Sequence, residues 1–150
     1  MSSYAVLREY IRRMMVDMNM QPGAGIIVVR KFSGTFKVLS LHRSDGIIDI
    51  PKGAIEENEF PLEAALRETV EESGVSQLDF KWGFDHAVNG DLTCYVAETS
   101  QDPFITKNPE TGIMEHVAAT WEDWDTITNN TLEYIIPCIE WARTVVEPES

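Results

Sequence analysis

The sequence predicts an α/β fold in which a mixed β-sheet lies between helices. Three observations predict it. Strand-like and helix-like runs follow one another in the order strands, helix, strands, helix. Two turn signals, Ser33-Gly34 and Asn89-Gly90-Asp91, each separate a pair of strand-like runs. The 150 residues, 43% of them hydrophobic, suffice for one domain spanning residues 1–150 with a real core, and they argue against disorder.

The elements follow in order. Tyr4, Leu7, Ile11, Met14 and Met18 recur at helical spacing and predict an amphipathic helix over residues 1–20. Its Met-rich stripe lies opposite Arg8, Arg12 and Arg13. Core packing is the favoured use of the stripe; covering the sheet and forming a dimer contact are the others. Pro22 and Gly23 end the helix. Gly25 to Arg30 reads as a buried strand, and Phe36 to His42 as its hairpin partner. Ile47 to Ile50 is a short strand leading into Pro51-Lys52-Gly53. Pro61 to Ser73 is a helix, with Pro61 at its first position and Gly74 as its stop. Leu62, Ala65, Leu66, Thr69 and Val70 form its apolar face. Alternating Phe80, Trp82 and Phe84 predict the next strand, and Leu92 to Ala97 returns from the Asn89-Gly90-Asp91 turn. Ile113 to Trp121 reads as the last strand. A C-terminal helix over residues 130–147 is kinked or started late by Pro137.

Charge narrows the function. The chain carries 25 acidic against 12 basic residues, a formal net charge of -13. Stable binding to nucleic acid or to an anionic membrane needs the opposite surplus. No apolar run approaches a membrane span, and the layout of a signal peptide is missing. Cys94 and Cys138 are too few for a disulfide framework, so a reducing cytoplasm is the expected compartment.

The acidic excess has a local anomaly. Glu68, Glu71 and Glu72 lie on one side of the Pro61–Ser73 helix, where like charges repel by roughly 0.2–0.5 kcal/mol per pair. They also crowd the helix C-terminus, which disfavours anions by about 0.3–1 kcal/mol. A solvated acidic face is the ordinary reading of such a run. A hard divalent cation reverses the sign of the problem, because Mg²⁺ takes oxygen ligands and shares them with substrate phosphates.

Read from Gly53, the sequence is GAIEENEFPLEAALRETVEESGV. It resembles the Nudix box, whose fixed positions fall on Gly53, Glu59, Arg67, Glu68, Glu71, Glu72 and Gly74, with Val75 in the final apolar place. Thr69 departs mildly from the pattern by filling an apolar position. At frequencies of about 6–7% per residue, seven such matches arise by chance on the order of once in a million. The resemblance covers residues 53–75 and implies a Nudix-type α/β/α sandwich with a mixed sheet. It implies hydrolysis of a diphosphate linkage in a nucleoside diphosphate joined to a second moiety, with Mg²⁺ or Mn²⁺. By match to the motif, Glu68, Glu71 and Glu72 would be metal ligands, together with the backbone carbonyl of Lys52. Glu59 and Arg67 would hold the loop against the helix, and Gly53 would permit the turn that aims the Lys52 carbonyl. Glu115 to Trp121 looks like the corresponding stretch of diadenosine tetraphosphate hydrolases. Glu115 is thereby a candidate general base or extra metal ligand, or else an exposed strand residue.

Other residues weigh less. Lys52 and Arg43 are candidate phosphate contacts, and Trp82, Phe84 and Tyr95 are candidate stacking partners for a base, although strand aromatics are usually core. His86 and His116 lack partners at zinc spacing and read as structural. The branch resembled most is that of the diadenosine polyphosphate hydrolases, with ADP-ribose and FAD as secondary substrates. A catalytically silent Nudix-fold domain that senses a nucleotide is the alternative. The expected partner is a small nucleotide, and a homodimer is compatible with the N-terminal stripe.

Overall fold

Residues Ser3–Asp17 form helix α1, and after Pro22 the apolar run becomes the central strand β1, Gly23–Phe32. The computed structural model describes residues 3–17, 21–109 and 111–148. The first seven residues of β1 are all buried, since both faces of the strand are covered, and this is why the run reads as continuously apolar. Ser33 and Gly34, with φ of 50° and 87°, turn it into the antiparallel strand β2, Thr35–His42. Two positive φ angles are those of a type I′ turn, whose twist suits a hairpin.

Short strands β3 (Ile48–Asp49) and β4 (Lys52–Ala54) pair antiparallel with β2 and β1. Helix α2, Pro61–Ser73, begins where the Phe60 N–H donates to Glu63 Oε1 at 3.0 Å. It stops at Gly74, whose φ of 71° no side chain adopts readily, and whose N–H donates to the Val70 carbonyl at 2.9 Å. Strands β5 (Ala87–Asn89) and β6 (Leu92–Glu98) form a hairpin across Gly90-Asp91. β7 (Ala118–Glu122) pairs with β2, and helices α3 (Trp124–Thr128) and α4 (Ile136–Val146) close the chain.

Among the described residues the sheet has seven strands in the order β3-β2-β1-β6-β5, with β4 against β1 and β7 against β2. It is mixed, because β1 runs parallel to β6 and antiparallel to β2 and β4. Alternation along β1 divides the core. Ile27 and Val29 join Val38, Cys94 and Val96 beneath Ile135, Ile139 and Ala142. Ala24, Ile26 and Val28 join Leu39, Leu41 and Ala97 beneath Ala64 and Ala65 of α2. Helices therefore cover both faces, and the fold is the α/β/α sandwich. No helix among the described residues is long and apolar enough to cross a membrane.

Several expectations need correction. The stretch holding Phe80, Trp82 and Phe84 is not a strand. Gly83 N–H returns to the Phe80 carbonyl in a turn, and only Asp79 bridges to β6, at Glu98. The alternation has another cause: Phe80 packs with the α2 layer, Trp82 with the α4 layer, and Phe84 stays 62% exposed. The last strand starts at Ala118, not Ile113, and Ile113, Met114 and Val117 are exposed. On α2, Val70 faces out, while the inner face runs through Ala64, Ala65, Thr69, Glu72 and Ser73. The C-terminal helix begins at Ile136 after a short 3₁₀ turn, Glu133–Ile135, with Pro137 in its first turn. α3 was not foreseen.

The stripe on α1 is not core: Tyr4, Leu7, Ile11 and Met14 are all exposed. The sheet face it would have filled is occupied by α2 instead. Met18 lies outside the described residues.

Ile27 is fully buried at the centre of the sheet. Ile27→Ala is expected to cost about 2–5 kcal/mol, lowering the thermal midpoint by roughly 5–20 °C in a calorimetric scan.

Candidate active site

Helix α2 presents its last turn and a half to the loop that β4 begins. Because its buried face runs through Glu72, the carboxylate is carried inward against the main chain of β4. The Lys52 N–H donates to Glu72 Oε1 at 2.8 Å, and only 8% of Glu72 is exposed. Glu68 and Glu71 stand beside it, one turn and one residue earlier.

Arg67 ties the loop to the helix. Its Nε and Nη2 donate to the two oxygens of Glu59 at 2.8 and 3.0 Å, a bidentate pair, and Nη2 also reaches the Ala54 carbonyl at 2.9 Å. Its Nη1 donates to Glu68 at 2.8 Å and to Glu71 at 3.4 Å. One guanidinium therefore holds the loop and restrains two of the crowded carboxylates.

Gly53 has a reason that differs from the expected one. Its backbone is not in the left-handed region. A Cβ there would sit 2.1 Å from Cδ of Glu68, so the residue is small because a carboxylate lies on it.

The loop before β7 supplies the opposite wall. Glu115 accepts from Asn108 Nδ2 at 3.3 Å and pairs with Arg13 Nε of α1 at 3.3 Å. His116 is buried, with Nδ1 at 3.8 Å from Glu72 and Nε2 at 3.4 Å from Asp49. Asp49 also faces Lys52 Nζ at 3.4 Å and accepts from the Ile50 N–H at 2.9 Å. One donor atom from each of Glu72, Glu115 and His116 falls within 4.8 Å of the others, a grouping that can hold a metal ion. The cleft encloses about 40 Å³ and is walled by seven carboxylates and four cations, among them Glu9 and Arg12 of α1.

Burial sets the proton affinities. It raises the carboxyls of Glu68, Glu71 and Glu72, taking Glu68 to about 8 and Glu72 well above its ordinary value, while Arg67 opposes it at Glu68 and Glu71. Neighbouring carboxylates add to the rise in all three. Burial would also raise Asp49, but Lys52, His116 and the Ile50 N–H outweigh it and hold that carboxyl at about 2. The Arg67 hydrogen bonds lower Glu59. Without a cation the cluster thus keeps protons on the inner glutamates while Asp49 stays ionised. The donor set, all carboxylate oxygen with one imidazole, suits a hard divalent cation that displaces those protons.

Of the residues picked out in the sequence, Glu68, Glu71, Glu72, Glu115, Arg67, Lys52 and Gly53 converge on this cleft. Glu59 and Gly74 stand behind it, at the loop and at the end of α2. Arg43, Tyr95 and Trp82 do not line it. Arg43 pairs with Asp45 at 2.8 Å, Tyr95 is buried in the α2 layer, and Trp82 packs edge-on to Phe36. The Lys52 ammonium is turned toward Asp49, not into open solvent. Asp49 and His116 were missed as site residues, because their partners come from three separate elements and show no spacing in the sequence.

A family model described as the NUDIX domain matches residues 19–136. The chain belongs to the Nudix family. Membership places it among the Nudix pyrophosphohydrolases. Similar solved structures include a C. elegans Ap4A hydrolase binary complex, at 19% identity and TM-score 0.58, covering 84% of this chain and 93% of that one. They include a Nudix hydrolase from M. smegmatis, RenU, at 19% identity and TM-score 0.62, covering 84% and 86%. The NUDIX domain of Shewanella oneidensis NrtR, complexed with ADP ribose, is 16% identical with TM-score 0.57, covering 84% and 88%. At these identities the likeness is one of fold. Among curated proteins, none matches the sequence significantly.

Two outcomes follow for this Nudix cleft. Gly53→Ala would push aside a flexible carboxylate end and no backbone, so the fold should survive. Any affinity of the variant for a divalent cation, read by calorimetric titration, is expected to fall by about 10–100-fold relative to the unaltered chain, as for other residues that orient ligands.

The second concerns pH. The folded protein holds the Glu68 proton up to about 8, whereas the unfolded chain releases it near 4.5. That contribution to stability is complete below 4.5 and is lost as pH rises through 8. The metal-free protein should accordingly melt lower at pH 9 than at pH 6. The double variant Glu68→Gln, Glu72→Gln should flatten the profile; a parallel profile would place its source elsewhere.

Proposed function

We propose that this chain hydrolyses a diphosphate linkage in nucleoside diphosphate compounds, with dinucleoside polyphosphates such as diadenosine tetraphosphate as the favoured substrates and ADP-ribose or FAD as further ones. The observation that carries it is the convergence of Glu68, Glu71 and Glu72 with Glu115 in one cleft, under the Arg67-tied loop of a Nudix-family chain. The Ap4A hydrolase among the similar structures, and the likeness of Glu115 to Trp121 to that branch, support the substrate class.

The residues divide the work. Glu68, Glu71, Glu72 and Glu115, with the Lys52 carbonyl, would hold Mg²⁺ or Mn²⁺. Bound there, such a cation would supply neutralisation of the diphosphate oxygens and a lowered pKa for a coordinated water. Arg67 restrains the carboxylates in a fixed arrangement and Glu59 restrains Arg67, so little reorganisation is needed when substrate arrives. Glu115, which lines the cleft between Asn108 and Arg13, is the candidate to take a proton from an attacking water, the alternative to its serving as a further ligand. His116 keeps Glu72 and Asp49 at fixed positions behind it.

The test is a panel of nucleoside diphosphate compounds with and without Mg²⁺, followed by product analysis. Cleavage should require the cation and drop by about a hundredfold or more in Glu72→Gln and in Glu68→Gln. Glu115→Gln should slow turnover while cation binding persists in part. Activity that survives chelation, or both substitutions, defeats the mechanism, and nucleotide binding without turnover points to the silent sensor instead.

A further inference from the structure

The acidic cleft is too small for a nucleotide. Its 40 Å³ has room for about three water-sized groups, enough for cations and phosphoryl oxygens. A second cavity of about 440 Å³ adjoins it, within the roughly 300–1,000 Å³ of small-molecule sites. Ser3, Val6, Tyr10 and Arg13 recur on α1 at steps of three and four, and this row faces the segment holding Thr111 and Ile113 across the cavity. Glu9, Arg13 and Glu115 line both cavities, so these three side chains form the boundary at which the two adjoin.

The character changes across that boundary. The cleft side is carboxylate and guanidinium, whereas the outer side is Val6, Leu7, Tyr10 and Ile113. Leu7 and Tyr10 are 56% and 60% exposed, so these apolar surfaces meet solvent immediately beside a strongly polar site. Arg13 stands at the junction, within 3.3 Å of Glu115, and Arg12 reaches Glu56 at 3.8 Å, which seats α1 over the loop. A molecule with a charged diphosphate at one end and a flat, largely apolar ring at the other matches this sequence of surfaces. Tyr10 is the aromatic ring among the residues lining the outer cavity.

We propose that the α1 cavity is the subsite for the nucleobase and sugar of the substrate. Tyr10 stacks on the base, Leu7 and Ile113 cover its edges, and Arg13 meets the phosphates where the cavities join. The assignment rests on the nucleoside diphosphate reading above. It gives α1 a role in specificity and places base recognition there in preference to Tyr95 or Trp82.

Calorimetric titration of the full chain, with Mg²⁺ present, tests it using ADP and inorganic pyrophosphate as probes. Tyr10→Ala should weaken ADP by about tenfold or more while pyrophosphate changes by less than about twofold, and Tyr10→Trp should retain ADP binding. Unchanged ADP affinity in Tyr10→Ala overturns the proposal, and a simultaneous change in sedimentation would assign the face to a second copy. Equal weakening of both probes also overturns it, because Tyr10 would then only hold α1 in place. If the unaltered protein binds pyrophosphate and not ADP, the subsite is refuted while diphosphate chemistry stands. If it binds neither and cleaves nothing in the panel, the parent reading fails as well.

Discussion

The fold concentrates negative charge where a helix end already disfavours it, and one guanidinium makes this tolerable. Arg67 bonds both oxygens of Glu59, the Ala54 carbonyl, Glu68 and Glu71. Through that fan of bonds the loop after β4 is clamped to α2, Glu68 is laid over Gly53, and Glu72 is pressed onto the Lys52 N–H. A buried carboxylate is costly unless it is paired, protonated or bound to a cation. Here Arg67 bonds Glu68 and Glu71, protons are held on the inner carboxyls, and a cation could displace them. The site is in this sense strained by charge rather than by backbone geometry, and the strain is what makes it receptive.

The contrast between Asp49 and the inner glutamates extends this logic. Asp49 and Glu72 are buried and Glu68 is partly so. Yet Asp49 has Lys52, His116 and the Ile50 N–H around it and remains ionised, whereas burial and neighbouring carboxylates prevail at Glu72, and at Glu68 even against Arg67. Glu72 and Asp49 face opposite nitrogens of the one His116 ring, so a change of charge at Glu72 is felt at the Asp49–His116 contact behind it. The outer cavity beneath α1 completes the arrangement, as apolar surface set beside a charge cluster gives a two-ended molecule a single orientation.

Much of the fold was legible because its signals are local. Pro61 and Gly74 bracket α2, Ser33-Gly34 and Gly90-Asp91 make the two hairpins, and the Gly25 to Arg30 run reads as a buried strand, as it is. The errors came where local pattern serves a distant partner. Phe80 and Trp82 alternate because they reach opposite layers from a turn, which periodicity cannot tell from a strand. The α1 stripe has core-like spacing, yet α2 already fills the sheet face. Gly53 carries no left-handed φ; its meaning lies in Glu68, fifteen residues on.

The sequence by itself determined the chemistry on offer. Glu68, Glu71, Glu72, Arg67 and Glu59 lie in one short stretch, so helical spacing alone brings the acids together, and their repulsion is readable as a demand for a cation. It also determined the α/β class, since strand-like and helix-like runs follow one another along it in the order strands, helix, strands, helix. Only the tertiary structure decided what surrounds that stretch. Asp49, Glu115 and His116 arrive from β3 and from the loop before β7, and α1 folds over them with Arg13 and Tyr10. Apart from Asp49, three residues before Lys52, these neighbours are distant in the chain, so their proximity is set by sheet register and helix docking, interactions that leave no periodic trace in the sequence.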